Sequence, residues 1–149
     1  MKHVDFVLCS PDTVRPVAAI ELAGATPLLV DIEPNSFTLD VNKLADTLRQ
    51  NRSHKIKVVI PVHLYGHCLN LDALEAIKSR HKISLIEDCA QSIGAAWSGR
   101  GCGSVGHWAA TSFYPTKNLG CMGDGPGTVG KIAASLPLSI HGLTTLRNS

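Results

Sequence analysis

The sequence predicts an α/β fold: a mainly parallel sheet with helices on both faces. Three observations predict it. Short apolar runs alternate with stretches of about ten residues that have helical periodicity. The helical stretches carry start or stop signals. The runs between them are nearly continuous in apolar residues, as expected of strands covered on both sides.

The elements follow in order. Val4 to Leu8 reads as a short strand, Val14 to Ala23 as a helix closed by Gly24, and Pro27 to Val30 as a buried strand. Asp40 can cap the next helix, in which Val41, Leu44, Ala45 and Leu48 fall at i, i+3, i+4 and i+7 and form an apolar stripe. Val58-Val59-Ile60 is a strand ended by Pro61. Asn70 can cap a third helix with Leu71, Leu74 and Ile77 on its buried side, and Ser84-Leu85-Ile86 is the strand after it. Beyond Ala95 the pattern changes to short, glycine-rich pieces, which predict hairpin strands and ligand-contacting loops.

Composition bounds the function. A chain of 149 residues with 44% hydrophobic and 17% charged residues suits one soluble domain with a real core. The net charge is +2 and the seven histidines are spread along the chain, so there is no basic stripe to track a phosphate backbone and no nucleic-acid partner is expected. Met1-Lys2-His3-Val4-Asp5-Phe6-Val7 meets an acid almost at once, unlike a secretory or membrane-spanning segment, and predicts a cytoplasmic protein without a membrane partner. Five cysteines, an odd count with no Cys-x-x-Cys pair, predict reduced thiols and no disulfide scaffold.

Four segments could carry chemistry. Glu87-Asp88-Cys89-Ala90-Gln91 lies at the end of a predicted strand, where ligands bind in open α/β sheets. Asp88 with Gln91 three residues later also fits a helix capping box, so this segment alone decides nothing. Ser112-Phe113-Tyr114-Pro115-Thr116-Lys117-Asn118-Leu119-Gly120 places a lysine in a stretch that has no other formal charge between Arg100 and Asp124. Most lysines are simply solvated, but an amine that must become nucleophilic needs such desolvating surroundings. Gly101-Cys102-Gly103-Ser104-Val105-Gly106 fits the dinucleotide-binding glycine pattern by letter. It follows a turn, precedes no amphipathic helix and lies late in the chain, so these glycines are expected to shape a hairpin. His63, His67 and Cys68 raise a zinc question, but no second ligand pair stands at a recognised spacing and no metal is expected.

Taken together and in order, Pro61-Val62-His63-Leu64-Tyr65-Gly66, Glu87 to Ala95 and Ser112 to Gly120 resemble the DegT/DnrJ/EryC1/StrS family of sugar aminotransferases, enzymes of fold type I that depend on pyridoxal 5'-phosphate (PLP). Gly24 to Ile32 is also similar, and the resemblance covers roughly residues 5 to 125. It implies that residues 1–149 are part of the large, PLP-binding domain, with the family's N-terminal segment and C-terminal small domain absent. It implies amino transfer from an amino acid, glutamate being the expected donor, to a nucleotide-linked keto-sugar, and a homodimer in the intact family. Lys117 would be the Schiff-base lysine and proton carrier, Asp88 would pair with the cofactor's ring nitrogen, Gln91 would bond near the ring oxygen, and Ser112 would donate to the phosphate.

The competing readings are a PLP-dependent sugar dehydratase, whose relatives replace the lysine by histidine, and an inactive truncated remnant or interaction domain. The chain departs from the family at three places. No ring for stacking on the cofactor occurs in Ser10 to Val14, Gly106-His107 stands for Gly-Asp, and Gly123-Asp124-Gly125-Pro126 stands for Gly-Asp-Gly-Gly.

Overall fold

The computed structural model describes residues 6–9, 14–51, 55–120 and 126–130. Its elements are β1 (Phe6–Cys9), α1 (Val14–Leu22), β2 (Thr26–Leu29), α2 (Val41–Gln50), β3 (Ile56–Ile60), α3 (Leu71–His81), β4 (Ser84–Asp88), β5 (Ala96–Trp97), β6 (Arg100–Gly101), β7 (Trp108–Ser112) and β8 (Pro126–Gly130). Six strands form one sheet in the order β2-β1-β3-β4-β7-β8, and β5 with β6 forms a separate hairpin. Every pairing in the large sheet is parallel except β7 with β8. The mainly parallel α/β architecture is therefore the one the sequence predicts.

The helices start where their caps are. Asp40 Oδ1 accepts the Asn42 and Lys43 amides, and Asn70 Oδ1 accepts the Ala73 amide, so orphan N–H groups at both N-termini are satisfied. α1 ends near Gly24, whose φ of 77° is left-handed backbone that suits a residue without Cβ.

Both faces of the sheet are covered. Leu44 and Leu48 of α2 and Leu71, Leu74 and Ile77 of α3 bury themselves against Val59 and Leu85 on one face. Ile20 of α1 packs with Val58 and Ile60 on the other. The expected buried strand at Pro27 to Val30 needs correction. β2 spans Thr26–Leu29 at the edge of the sheet, and Leu29 is 54% exposed. An apolar run states that a strand is sticky; only the strand order says whether it has one neighbour or two.

β4 also runs two residues beyond the expected Ser84 to Ile86, so Glu87 and Asp88 lie within the strand. Strand alternation then sends them to opposite faces. This decides the chemistry of both.

The chain moves from β1 outward to β2, then returns across to β3 on the other side of β1. That reversal, together with the parallel β3, β4 and β7, brings the carboxyl ends of these strands to one edge of the sheet, the edge where doubly wound folds place ligands.

Candidate functional site

The site is assembled at the carboxyl edge, around β4. Asp88 is its last residue. The Asp88 amide donates to the Pro61 carbonyl at 2.9 Å, its carbonyl accepts from the His63 amide at 3.0 Å, and Oδ1 accepts from the Ala90 amide at 3.0 Å. The loop after β3 is thereby sewn to the end of β4. No helix starts here: residues 90–94 form turns, closed by Ser92 N–H to the Cys89 carbonyl, so the capping-box alternative is overturned.

Asp88 is in register with Ala110 of β7, and Ser112 is two residues further along that strand. In a parallel pair, opposed residues share a face, and residues two apart share it again. Asp88 and Ser112 thus lie on the same face at the ends of neighbouring strands. Gln91 follows in the turn, half-buried, and its carbonyl accepts the Gly66 amide at 3.0 Å.

Lys117 leaves the same edge five residues after Ser112. Its amide donates to the Tyr114 carbonyl at 2.8 Å, and the Ser112 hydroxyl accepts the Tyr114 amide at 3.3 Å, so the segment turns immediately after β7. A Cβ at Gly120 would sit 2.5 Å from the Pro115 carbonyl oxygen. Only glycine lets the segment fold back this tightly around Lys117, which is half-buried. Asp88, Gln91, Ser112 and Lys117 therefore all follow from the ends of β4 and β7 at one edge of the sheet.

Glu87 faces the other way and is fully buried. Its Oε2 accepts the Gly103 amide and His63 Nε2, both at 2.8 Å. Its Oε1 accepts the Val105 amide at 2.8 Å and the Gly106 amide. Burial pushes the carboxyl pKa up, but the His63 bond and the Gly106 and Gly103 amides outweigh it and hold the pKa below the ordinary carboxylate value. The glycine pattern at 101–106 is thus an anion nest whose anion is internal. The hairpin expected there is present as β5 and β6, but residues 103–106 serve Glu87 instead.

Close approach explains one of the glycines. A Cβ on Gly106 would lie 2.6 Å from the Trp108 carbonyl oxygen and 3.1 Å from Glu87 Oε1. Next to it, His107 takes up strand duty: its Nδ1 accepts the Leu85 amide at 3.1 Å and its amide donates to the Leu85 carbonyl at 2.9 Å. The departure from the family's Gly-Asp pattern thus keeps an acceptor for β4. Of the other two departures, at Ser10 to Val14 and Gly123 to Pro126, residues 10–13 and 123–125 fall outside the described residues.

His63 is the structural partner the sequence did not reveal. The Leu69 amide donates to its Nδ1 at 3.1 Å, while Nε2 faces Glu87. Burial opposes a charge on the ring, whereas Cys102, Cys68 and Glu87 favour one. A nitrogen receiving an N–H cannot carry its own proton, so the hydrogen bonds fit the neutral Nε2–H tautomer. Of the zinc candidates, His63 and Cys68 meet Cys102, with ligand atoms within 4.8 Å of one another, while His67 lies exposed. His63, Glu87 and Cys89 form a second such group.

The sequence profile of the DegT/DnrJ/EryC1/StrS aminotransferase family matches residues 7–131. The chain is 42% identical over 112 residues to a UDP-2-acetamido-2-deoxy-3-oxo-D-glucuronate aminotransferase of Pseudomonas aeruginosa, covering 75% of this chain and 30% of that protein. Its fold is similar to that of S. venezuelae DesV, solved in complex with a ketimine intermediate, with a TM-score of 0.78 and 37% identity over 88% of this chain and 34% of the other. It is also similar to NtdA from Bacillus subtilis with bound cofactor PMP, with a TM-score of 0.73 and 29% identity over 88% of this chain and 28% of the other. The chain spans about a third of the length of the curated relatives it matches.

Proposed function

We propose a function from the family to which the chain belongs, the DegT/DnrJ/EryC1/StrS aminotransferases, with fold type I architecture. From that membership we propose that it is part of the large domain of a PLP-dependent enzyme that moves an amino group from an amino acid, glutamate in our reading, to a nucleotide-linked keto-sugar. One observation carries the site: Asp88 and Ser112 share a face at the carboxyl ends of adjacent parallel strands, with Lys117 half-buried in the turn that follows. These groups fit the cofactor. A carboxylate suits a ring nitrogen that should stay protonated, a hydroxyl suits a phosphate, and an amine suits covalent attachment.

When bound, PLP supplies an electron sink for the substrate's reacting carbon. The chain supplies the rest. Asp88 holds the proton on the ring nitrogen through its negative charge. Ser112 Oγ and the Gln91 side chain orient the group at its phosphate and its ring-oxygen side. Lys117 Nζ would be the point of attachment and the base that moves the proton at the reacting carbon. Lys117 also favours amino transfer over the dehydratase alternative, for which the resemblance expects histidine. In this reading the protein works as a homodimer on small-molecule substrates. Among the described residues no helix is long and apolar enough to cross a membrane.

The test is covalent. The chain is incubated with PLP, reduced with borohydride and mapped by peptide mass, and the expected adduct lies on Lys117 and is lost in Lys117→Ala. Asp88→Asn should weaken PLP binding by about tenfold or more, the scale of one charge-assisted hydrogen bond. An adduct confined to another lysine, or unchanged PLP affinity in Asp88→Asn, would overturn the assignment.

A further inference from the structure

Two thiols near Glu87 have no part in the proposed activity. Cys68 sits in the loop after β3 and Cys102 directly after β6, and their sulfurs lie within 4.8 Å of one another beside His63. Both are free and half-buried. A disulfide needs sulfurs about 2 Å apart, so these two must approach by no more than about 3 Å. A third thiol, Cys89, is buried, and burial followed by the Glu87 carboxylate pushes its pKa far above the ordinary thiol value. That leaves Cys89 protonated and inert.

A metal ion is the other occupant such a cluster could take. It would require a ring nitrogen of His63, and both are committed, Nδ1 to the Leu69 amide and Nε2 to Glu87.

We propose that Cys68 and Cys102 are a redox modification site, a dithiol that a small-molecule disulfide such as oxidised glutathione converts into a Cys68–Cys102 disulfide. The first thiolate attacks one sulfur of oxidised glutathione, forming a mixed disulfide and releasing one glutathione thiolate. The second attacks the protein sulfur of that mixed disulfide, forming the internal bond and releasing the second glutathione thiolate. The protein thiols lose two protons and two electrons, and the external disulfide gains them as two thiols. The bond would tie the His63 loop to the Gly103–Gly106 loop, the two segments whose groups hydrogen-bond the Glu87 carboxylate. This inference does not depend on the proposed amino transfer.

The experiment uses the full 149-residue chain, reduced and then equilibrated with oxidised glutathione. Free thiols counted after denaturation should fall from five to three, peptide mapping should link Cys68 to Cys102, and dithiothreitol should restore all five. In Cys68→Ser or Cys102→Ser, with far-UV circular dichroism unchanged, the remaining partner should keep a glutathione adduct instead of a crosslink. If either variant fails to fold, the peptide map of the unsubstituted chain decides alone. Five persistent thiols, a crosslink through Cys9, Cys89 or Cys121, or separate stable adducts on Cys68 and Cys102 would overturn the proposal. So would stoichiometric zinc in the purified chain that Cys68→Ser releases.

Discussion

Glu87 is the residue on which most of the site's geometry converges. Four donors are aimed at one buried carboxylate, so removing it strands three backbone N–H groups and an imidazole N–H away from water. Glu87→Ala should destabilise the chain by about 3–5 kcal/mol, the cost of breaking a buried charged network from one side. Urea denaturation measures this, and a change below about 1 kcal/mol would show that the nest is not maintained in solution. The pH dependence follows in sign. The folded pKa of Glu87 is lowered, so the unfolded state binds its proton first as pH falls. Its stabilising contribution is present above the unfolded value and is lost as pH falls through the folded one. Glu87→Gln should flatten the acid limb of a stability–pH profile; an identical limb would remove the linkage.

At the scale of elements, α3 does more than cover the sheet. Lys78 Nζ donates to the Val105 carbonyl at 2.7 Å, and Asp72 with Glu75 holds Arg100 and Trp97 of the hairpin. The helix therefore places the glycine loop over Glu87. Its exposed ion pairs contribute little, because solvent screens them. Its attachment comes from Leu71 and Leu74, which are fully buried. Leu74→Ala should cost about 2–5 kcal/mol by transfer and cavity terms, whereas Leu22→Ala in α1, at 89% exposure, should change stability by no more than about 0.5 kcal/mol. Denaturant midpoints of the two variants compare them directly, and equal shifts would contradict the packing described. The caps Asp40 and Asn70 and the stripes behind them were legible because helix signals are local. The edge position of β2 was not, because strand order is set by contacts far apart in sequence.

At the scale of the whole molecule, several large apolar side chains remain at the surface, among them Leu29, Phe37, Tyr114 and Leu119 at 54%, 55%, 45% and 55% exposure. Tyr114 and Leu119 flank Lys117, so covering them would also enclose the proposed site. The chain is expected to self-associate, giving a light-scattering mass of twice one chain that falls on dilution. A monomer at every concentration, unaffected by Leu119→Ser, would argue against the homodimer. The order of helices and strands and the family were legible along the chain, because periodicity, caps and contiguous motifs are written in neighbouring residues. Only the tertiary structure decided that Glu87 and Asp88 face opposite ways, that the glycine loop binds an internal carboxylate, and that Cys102 meets His63 and Cys68. Those outcomes depend on strand register and on contacts between segments that are remote along the chain, and register is a property of how strands pair.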